Sequence, residues 1–332
     1  MFPLYDARGN RYCVATPGDL RMFDLPQAAA CAARSSQEWT RKVVEHVCSP
    51  DKFPAFFRRS GRKYVSDGLL VGPFSAGGAF ELLIVNTDGT LAERSGNGLS
   101  IFSQFLVDSG RIARTDAFSI RILHPWKQAV NVCVVPGNRR GQEGFWIDMG
   151  LPAIGPESVN ASFAPIGMSQ HNGRDVSRVP ELERIDAAWT RSVFVGIDNP
   201  HCVTFLNGVE ELPSMALLAS LTTALAAVAN DSESGEARGA GRPCRNGVNL
   251  QWAASVAPNE VEARVFERGE GPTASSGTSA TAVASAARYL RLVTGEIVNV
   301  AMPGGVAPVR FDEKNGHIHR VMLFGVAECK SV

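Results

Sequence analysis

A serine–glycine step that runs straight into an enclosed apolar helix occurs twice in this chain, and that repetition constrains the fold more than any other feature. The first copy is "ERSGNGLSIF" (93–102) and the second is "RGEGPTASSGTSATAVASA" (268–286). The interval from Ser95 to Ser276 is close to half of the 332-residue chain. In both halves the order is strand, glycine-containing turn, serine–glycine step, helix. An internal duplication is the economical reading, and it predicts an α/β protein of two similar domains.

Serine is a preferred N-cap, so either turn taken alone reads as ordinary helix-starting chemistry. Taken as a pair they suggest more. The first turn of a helix leaves N–H groups without intrahelical partners, and the aligned peptide dipoles place partial positive charge there. Two such ends facing each other would hold one carboxylate, and the residue heading each helix would approach the adjacent carbon from opposite faces. Other motifs are excluded by spacing. "GEGPTASSGTS" lacks the lysine of a phosphate loop, neither turn has G-x-G-x-x-G, and no G-x-S-x-G elbow is present.

The elements around the turns follow from periodicity and breakers. Short strands are expected in "MFPLYDARG" and "RYCVATP" about a Gly9-Asn10 turn, then two helices between Leu20 and Cys48, separated near Ser35-Ser36. "DGLLVGP" and "AFELLIVNTDG" read as paired strands ending at Asp88-Gly89, and the helix after Ser95 stops at Asp108-Ser109-Gly110. "FSIRILHP", "AVNVCVV" and "GFWIDMGLP" read as further strands. "SVFVGIDNPHCVTFLN" is strand, turn, strand, and Met215 to Val228 is expected to form one helix. Residues 230–243, rich in Gly, Ser and charge, read as a surface loop. "GVNLQWAA" and "EVEARVFERG" are strands before the second serine turn.

Lys plus Arg and Asp plus Glu both number 33, so no net field draws nucleic acid or an anionic membrane. No apolar run approaches the roughly 18 residues of a membrane span, and the N-terminus lacks the pattern of a secretory signal. The seven scattered cysteines, with no C-x-x-C, fit free thiols in a cytoplasmic protein, and no metal-ligand cluster is apparent. Neither a metal nor a cofactor is implied.

Several motifs together resemble the diaminopimelate epimerase family, over almost the whole chain and in the family's order. "RGNRY" is similar to its G-N-D-F, "SDGLLVGP" and "NTDGT" to its G-A-D-G and N-x-D-G-S, and "ERSGNG" to its M-C-G-N-G. "WIDMGLP", "DNPHCV", "GVNLQ" and "FERGEGPTASSGTSA" resemble its later segments. The resemblance implies two pseudo-symmetric domains, each a mixed sheet or barrel around a central helix, with the active cleft between them. The domain boundary is placed just before the strand "GFWIDMGLP", giving 1–144 and 145–318, and the resemblance implies that the final strand, 319–332, returns to the first domain. It also implies isomerisation without cofactor at the carbon beside a carboxylate, with a small amino or carboxylic acid as partner.

In that family two cysteines head the helices and act as a thiolate–thiol pair; here Ser95 and Ser276 stand at those positions. By the same resemblance Gly96, Asn97, Gly277 and Thr278 would hold the carboxylate, and Asn10, Asn86, Asn199, Asn249, Glu267 and Arg268 would bind the rest of the substrate. Arg268 would suit a distal carboxylate. Plainer readings stand beside these: Asn10 and Asn86 as turn residues, His201 as a packed histidine, Glu267-Arg268 as a solvated strand end, Asp67 and Asp88 as structural. Serine is a far weaker acid than cysteine, and Gly68, Ser100, Pro272 and Ser279 also depart from the family pattern. Cys202 and Glu267 are the nearest candidates for a stronger base. A lyase or dehydratase, or a ligand-binding homologue without turnover, are the alternatives. The helical segment between Leu20 and Ser60, longer than expected of the family, would cap the cleft or form a homodimer contact.

Overall fold

The computed structural model describes residues 2–331 apart from 60, 77, 162–166, 198, 231–242 and 316. The loop expected at 230–243 therefore lies, except for its two end residues, outside the described residues. The chain divides into two compact units, one of Met1–Asp148 with Phe324–Val332 and the other of Met149–Leu323.

The first unit is built on β1 (Leu4–Ala7), β2 (Asn10–Ala15), β3 (Gly68–Ala76), β4 (Ala79–Asn86), the two-residue β5 (Leu91–Ala92), β6 (Phe118–Ile122), β7 (Val130–Arg139) and β8 (Gln142–Asp148). β1 is antiparallel to β2, β2 parallel to β3, and β3 antiparallel to β4. β4 is then parallel to β6, and β6, β7 and β8 continue antiparallel, while β5 lies beside β4. Two helices, α1 (Ala29–Arg34) and α2 (Ser36–Val47), occupy the long connection from β2 to β3, and α3 (Gly96–Asp108) follows β5.

The second unit starts with an edge addition of β9 (Ala153–Ile154), β10 (Gly167–His171), β11 (Arg174–Arg178) and α4 (Pro180–Ile185). Then the first unit's plan repeats in β12 (Ser192–Ile197), β13 (Asn199–Phe205), α5 (Met215–Ser220), α6 (Thr222–Ala229), β14 (Asn249–Ala257), β15 (Glu260–Glu267), β16 (Gly271–Thr273), α7 (Gly277–Tyr289), β17 (Ile297–Met302), β18 (Gly305–Lys314) and β19 (His317–Gly325). The pairing senses repeat as well: antiparallel, parallel, antiparallel, parallel, antiparallel, antiparallel from β12 to β19. The last strand, β20 (Glu328–Ser331), pairs antiparallel with β1. Both units are thus α/β, each with a mixed sheet around one helix, as the sequence leads one to expect.

The central helices show why small and hydroxyl-bearing residues suit an enclosed position. α7 packs against β12, β13, β14, β15, β17 and β18, and all its residues from Gly277 to Ala287 are buried. Two of its hydroxyls are satisfied inside the helix: Thr281 donates to the Gly277 carbonyl at 2.9 Å and Ser285 to the Thr281 carbonyl at 2.7 Å. In α3, Ser100 does the same toward Gly96 at 2.9 Å. Ser100 and Thr281 are separated by the same interval as the two capping serines.

Two local expectations are corrected. The first hairpin turns on Arg8-Gly9, with φ of 56° and 85°, the left-handed pair a tight two-residue turn requires, so Asn10 already belongs to β2. The helix expected from Met215 to Val228 breaks at Leu221 into two pieces bent by 97°. There Ser220 and Thr222 bond the carbonyls of Leu217 and Ala219, at 2.8 and 2.7 Å, competing with the helix's own ladder. The helical segment between Leu20 and Ser60 has a counterpart in the duplicated plan. α1 and α2 stand where α5 and α6 stand in the other unit, between the second and third strands of the repeat. Among the described residues no single helix is long and apolar enough to cross a membrane.

Candidate active site

Each unit carries one helix head, and the two are alike in detail. Ser95 caps α3 at φ −142°, ψ 116°, its Oγ accepting the Gly98 N–H at 3.0 Å. Ser276 caps α7 at φ −143°, ψ 124°, accepting the Ser279 N–H at 3.3 Å. The interval between the serines also separates the first residues of the two helices, Gly96 and Gly277, and their last, Asp108 and Tyr289. Both end in the same reverse turn: Arg111 N–H bonds the Leu106 carbonyl, and Leu292 N–H the Ala287 carbonyl, both at 2.9 Å. At each head the first two N–H groups, those of Gly96 and Asn97 or of Gly277 and Thr278, point ahead of the helix without an intrahelical acceptor. The Asn97 Oδ1 and the Ser275 hydroxyl are buried without a partner among the described residues.

The carboxamides and charged residues singled out in the sequence fall on strand ends at equivalent places. Asn10 and Asn199 are the first residues of β2 and β13. Tyr12, on β2, pairs with Gly68 on β3, which pairs with Asn86 on β4. In the second unit His201 pairs with Asn249, and Glu267 ends β15 one step beyond the Leu250–Phe266 pair. Gly68 and Asn249 keep the interval of the two serines, as do Asn86 and Glu267, while Tyr12 and His201 stand slightly further apart.

Several of these groups are already engaged. Asn10 Nδ2 donates to Asp67 at 3.3 Å, and the same carboxylate accepts the Arg11 N–H at 2.9 Å and the Arg59 guanidinium at 2.7 Å. Asn86 Nδ2 donates to the Thr90 hydroxyl at 2.9 Å. Asn249 Oδ1 accepts the Arg268 N–H at 2.9 Å, and the exposed Arg268 guanidinium donates to the Asn246 carbonyl. Ser100 is fully buried, and a β-carbon on Gly325 would collide with its hydroxyl. It faces the interior of its unit, so its departure from the family pattern acts on packing.

Sequence reasoning missed one polar group, beside the first head. The Tyr12 hydroxyl lies 3.2 Å from Ser95 Oγ. It gets there because Gly68 has no side chain: a β-carbon on that glycine would stand 2.5 Å from Tyr12 Cε1. The signal was present in the Tyr of "RGNRY" and the Gly of "SDGLL", on strands whose register is not readable from one chain. In the second unit the equivalent position holds His201, completely buried. In the orientation that satisfies all its partners, Gln251 accepts from His201 Nδ1 at 3.0 Å and from Ser279 Oγ at 3.1 Å, and donates to the carbonyls of Asn249 and Cys202 at 3.3 Å each. This fixes the proton on Nδ1 and leaves Nε2 as a buried lone pair without a partner among the described residues. Burial first, and then the charge of Arg268, push the His201 pKa down to about 3. The ring is neutral at ordinary pH, as a packed histidine is.

Cys202 does not qualify as a base. Its thiol is completely buried in the second unit's apolar core, and burial raises its pKa to about 12, with only the Ser192 hydroxyl acting the other way. Glu267 is half-buried at the end of β15. Among the described residues no group of three or more His, Cys, Asp or Glu could hold a metal.

Comparison with known proteins agrees with this architecture. The sequence model of the family described as diaminopimelate epimerase matches residues 193–328. The diaminopimelate epimerase of Synechococcus sp. (strain JA-2-3B'a(2-13)) is 30% identical over 254 residues, 76% of this chain and 78% of its own. That of Prochlorococcus marinus (strain MIT 9313) is 28% identical over 292 residues, 86% and 83%. A crystal structure of a hydroxyproline epimerase from Agrobacterium vitis, with bound trans-4-hydroxy-L-proline, has the same fold at a TM-score of 0.55 and 11% identity, covering 99% of this chain and 90% of that one. The duplicated sheet-and-helix plan with a capped helix head in each copy is that of a cofactor-independent isomerase. The chain belongs to the diaminopimelate epimerase family.

Proposed function

We propose that the protein isomerises a small amino or carboxylic acid at the carbon next to its carboxylate, with the heads of α3 and α7 serving one substrate. The observation that carries this reading is the match between the two heads: the same cap geometry, the same helix length and first-turn N–H groups without intrahelical acceptors, in a chain of an epimerase family. The N–H groups of Gly96, Asn97, Gly277 and Thr278 would hold the carboxylate and stabilise the enolate that forms when the α-proton leaves. Ser95 and Ser276 would bring a hydroxyl to the reacting carbon, and the Asn97 Oδ1 would accept from a substrate ammonium group. Asn10, Asn86, Asn199, Asn249, Glu267 and Arg268 would line the remainder of the binding site, Arg268 toward a distal carboxylate.

The same reading takes the enzyme to be cytoplasmic, on the strength of seven cysteines all in the free form, and to form a homodimer through the exposed Met22 and Phe56. The test of the reaction is to incubate the protein in deuterated water with diaminopimelate, proline and trans-4-hydroxy-L-proline and follow the α-position. Deuterium entering with inversion, and no group lost, supports isomerisation. A new alkene or keto product supports a lyase, and binding without exchange supports a ligand-binding protein.

A further inference from the structure

Serine leaves the proposed reaction short of a base, because a hydroxyl gives up its proton far less readily than a thiol. What stands behind the two serines differs. At Ser276 the near neighbours are the Thr278 hydroxyl at 3.4 Å and the Ser279 N–H at 3.3 Å, and His201, at the strand position equivalent to Tyr12, bonds Gln251. At Ser95 the neighbour is a phenol. Tyr12 is 7% exposed, its hydroxyl is 3.2 Å from Ser95 Oγ, and space for its ring exists only because residue 68 is glycine.

We propose that Tyr12 is the proton-accepting partner of Ser95, replacing by a two-hydroxyl relay the single ionisable group this head otherwise lacks. The assignment rests on the isomerase reading above. One lone pair of Ser95 Oγ is held by the Gly98 N–H, which leaves its proton and its second lone pair to be shared between Tyr12 and the substrate. With Tyr12 ionised, Ser95 donates its O–H to the phenolate. As the serine oxygen takes the α-proton, its own proton passes to Tyr12. The C–H electron pair stays on the substrate as the enolate, and the phenolate becomes a phenol. One proton has moved from carbon to Tyr12 and no oxidant or reductant takes part. The reverse passage returns a proton to carbon. The distance is longer than a tight O–H···O bond, as catalytic contacts often are before substrate arrives. The charged residues next in the chain to Tyr12, Gly68 and Ser95 are Arg11, Asp67 and Arg94, and Asp67 is bonded by the Arg11 N–H and the Arg59 guanidinium.

The experiment compares wild type, Tyr12→Phe, Ser95→Cys and the double variant in the deuterium-exchange assay across pH. Tyr12→Phe keeps the ring and the Ser95 cap, so folding is expected to be unchanged while exchange falls by about 10²–10⁴-fold. The single ionisation that governs the wild-type rate should vanish with it. Ser95→Cys in the Tyr12→Phe background should restore exchange, since a thiol at the head needs no relay. A Tyr12→Phe variant that exchanges at the wild-type rate with the wild-type pH profile overturns the proposal. Should wild type exchange none of the acids, the isomerase reading fails by itself, and Tyr12 is judged by absorbance. The chain has 4 tyrosines, so the pH titration of wild type minus Tyr12→Phe isolates this phenol. Ser95→Ala must shift that titration; no shift overturns the coupling.

Discussion

Tyr12 and Gly68 face each other across neighbouring parallel strands so closely that a β-carbon on the glycine would stand 2.5 Å from the tyrosine ring and 2.9 Å from the Val85 carbonyl oxygen. The ring could swing aside, but the carbonyl belongs to the β3–β4 ladder and cannot. Gly68→Ala is therefore expected to cost about 1–3 kcal/mol, the range for overpacking a close-packed site, as read from urea unfolding. It should also displace the Tyr12 hydroxyl and lower α-proton exchange. Unchanged stability would mean that the strands are not in this register.

The capping serines allow structure and chemistry to be separated. Ser95→Ala and Ser276→Ala each remove an N-cap and should cost roughly 1 kcal/mol in urea unfolding, whereas the glycine variants should cost only a few tenths. Exchange should be lost in all four variants. Glycine variants that are stable yet retain exchange would show the hydroxyls to be caps and nothing more.

His201 makes stability depend on pH. Its folded pKa is pushed down to about 3 by burial and then by Arg268, against about 6.5 for a free histidine. Between those values the unfolded chain binds a proton that the folded chain refuses, so stability rises with pH across that window and falls on acidification. The residue is completely buried, so the full linkage applies: about 2 kcal/mol should be lost between pH 7 and pH 5. His201→Gln should flatten the unfolding free energy over that range relative to wild type. Parallel curves would place the ring in contact with water.

How far the sequence reaches is visible in single residues. Ser95 and Ser276 mark two helix starts because capping is local chemistry: the hydroxyl bonds a nearby N–H within the same turn, and nothing distant is needed. The strands around them follow from alternation and turn residues. Leu221 shows the limit of that approach, since Met215 to Val228 is mostly Ala and Leu and breaks where the hydroxyls of Ser220 and Thr222 take the backbone's acceptors. Tyr12 shows a deeper limit. Its role depends on lying opposite Gly68, which is remote from it in the chain, in a parallel pairing that leaves no period in the sequence. The equivalence of α1 and α2 with α5 and α6 was hidden for a related reason: helices that cover a sheet share a position, but their sequences are free to diverge.

Cys202 supplies a test of what does not act in the reaction. With its pKa raised to about 12 inside an apolar core, it holds no thiolate at neutral pH. Cys202→Ala should cost roughly 1–2 kcal/mol for the buried atom lost and leave exchange intact. In the native protein the exposed Cys31 should be alkylated ahead of the buried Cys13, Cys48, Cys202 and Cys244, as followed by mass spectrometry. Loss of exchange in a well-folded Cys202→Ala variant would reinstate the thiol as a base.

Arg268 bears on what the substrate carries at its far end. Its bond to Asn249 is made by the main chain, so replacing the side chain leaves that link in place, and the guanidinium itself is exposed beside the Asn246 carbonyl. Arg268→Lys keeps the charge but loses the planar fork that grips a carboxylate at two points. For a substrate with a second carboxylate, KM should rise by about 10–100-fold with kcat little altered, the loss expected for one charge-assisted hydrogen bond. For an acid with a single carboxylate neither constant should move. Steady-state kinetics on one acid of each kind separates the cases, and a fall in kcat for both would place Arg268 at the reacting carbon instead.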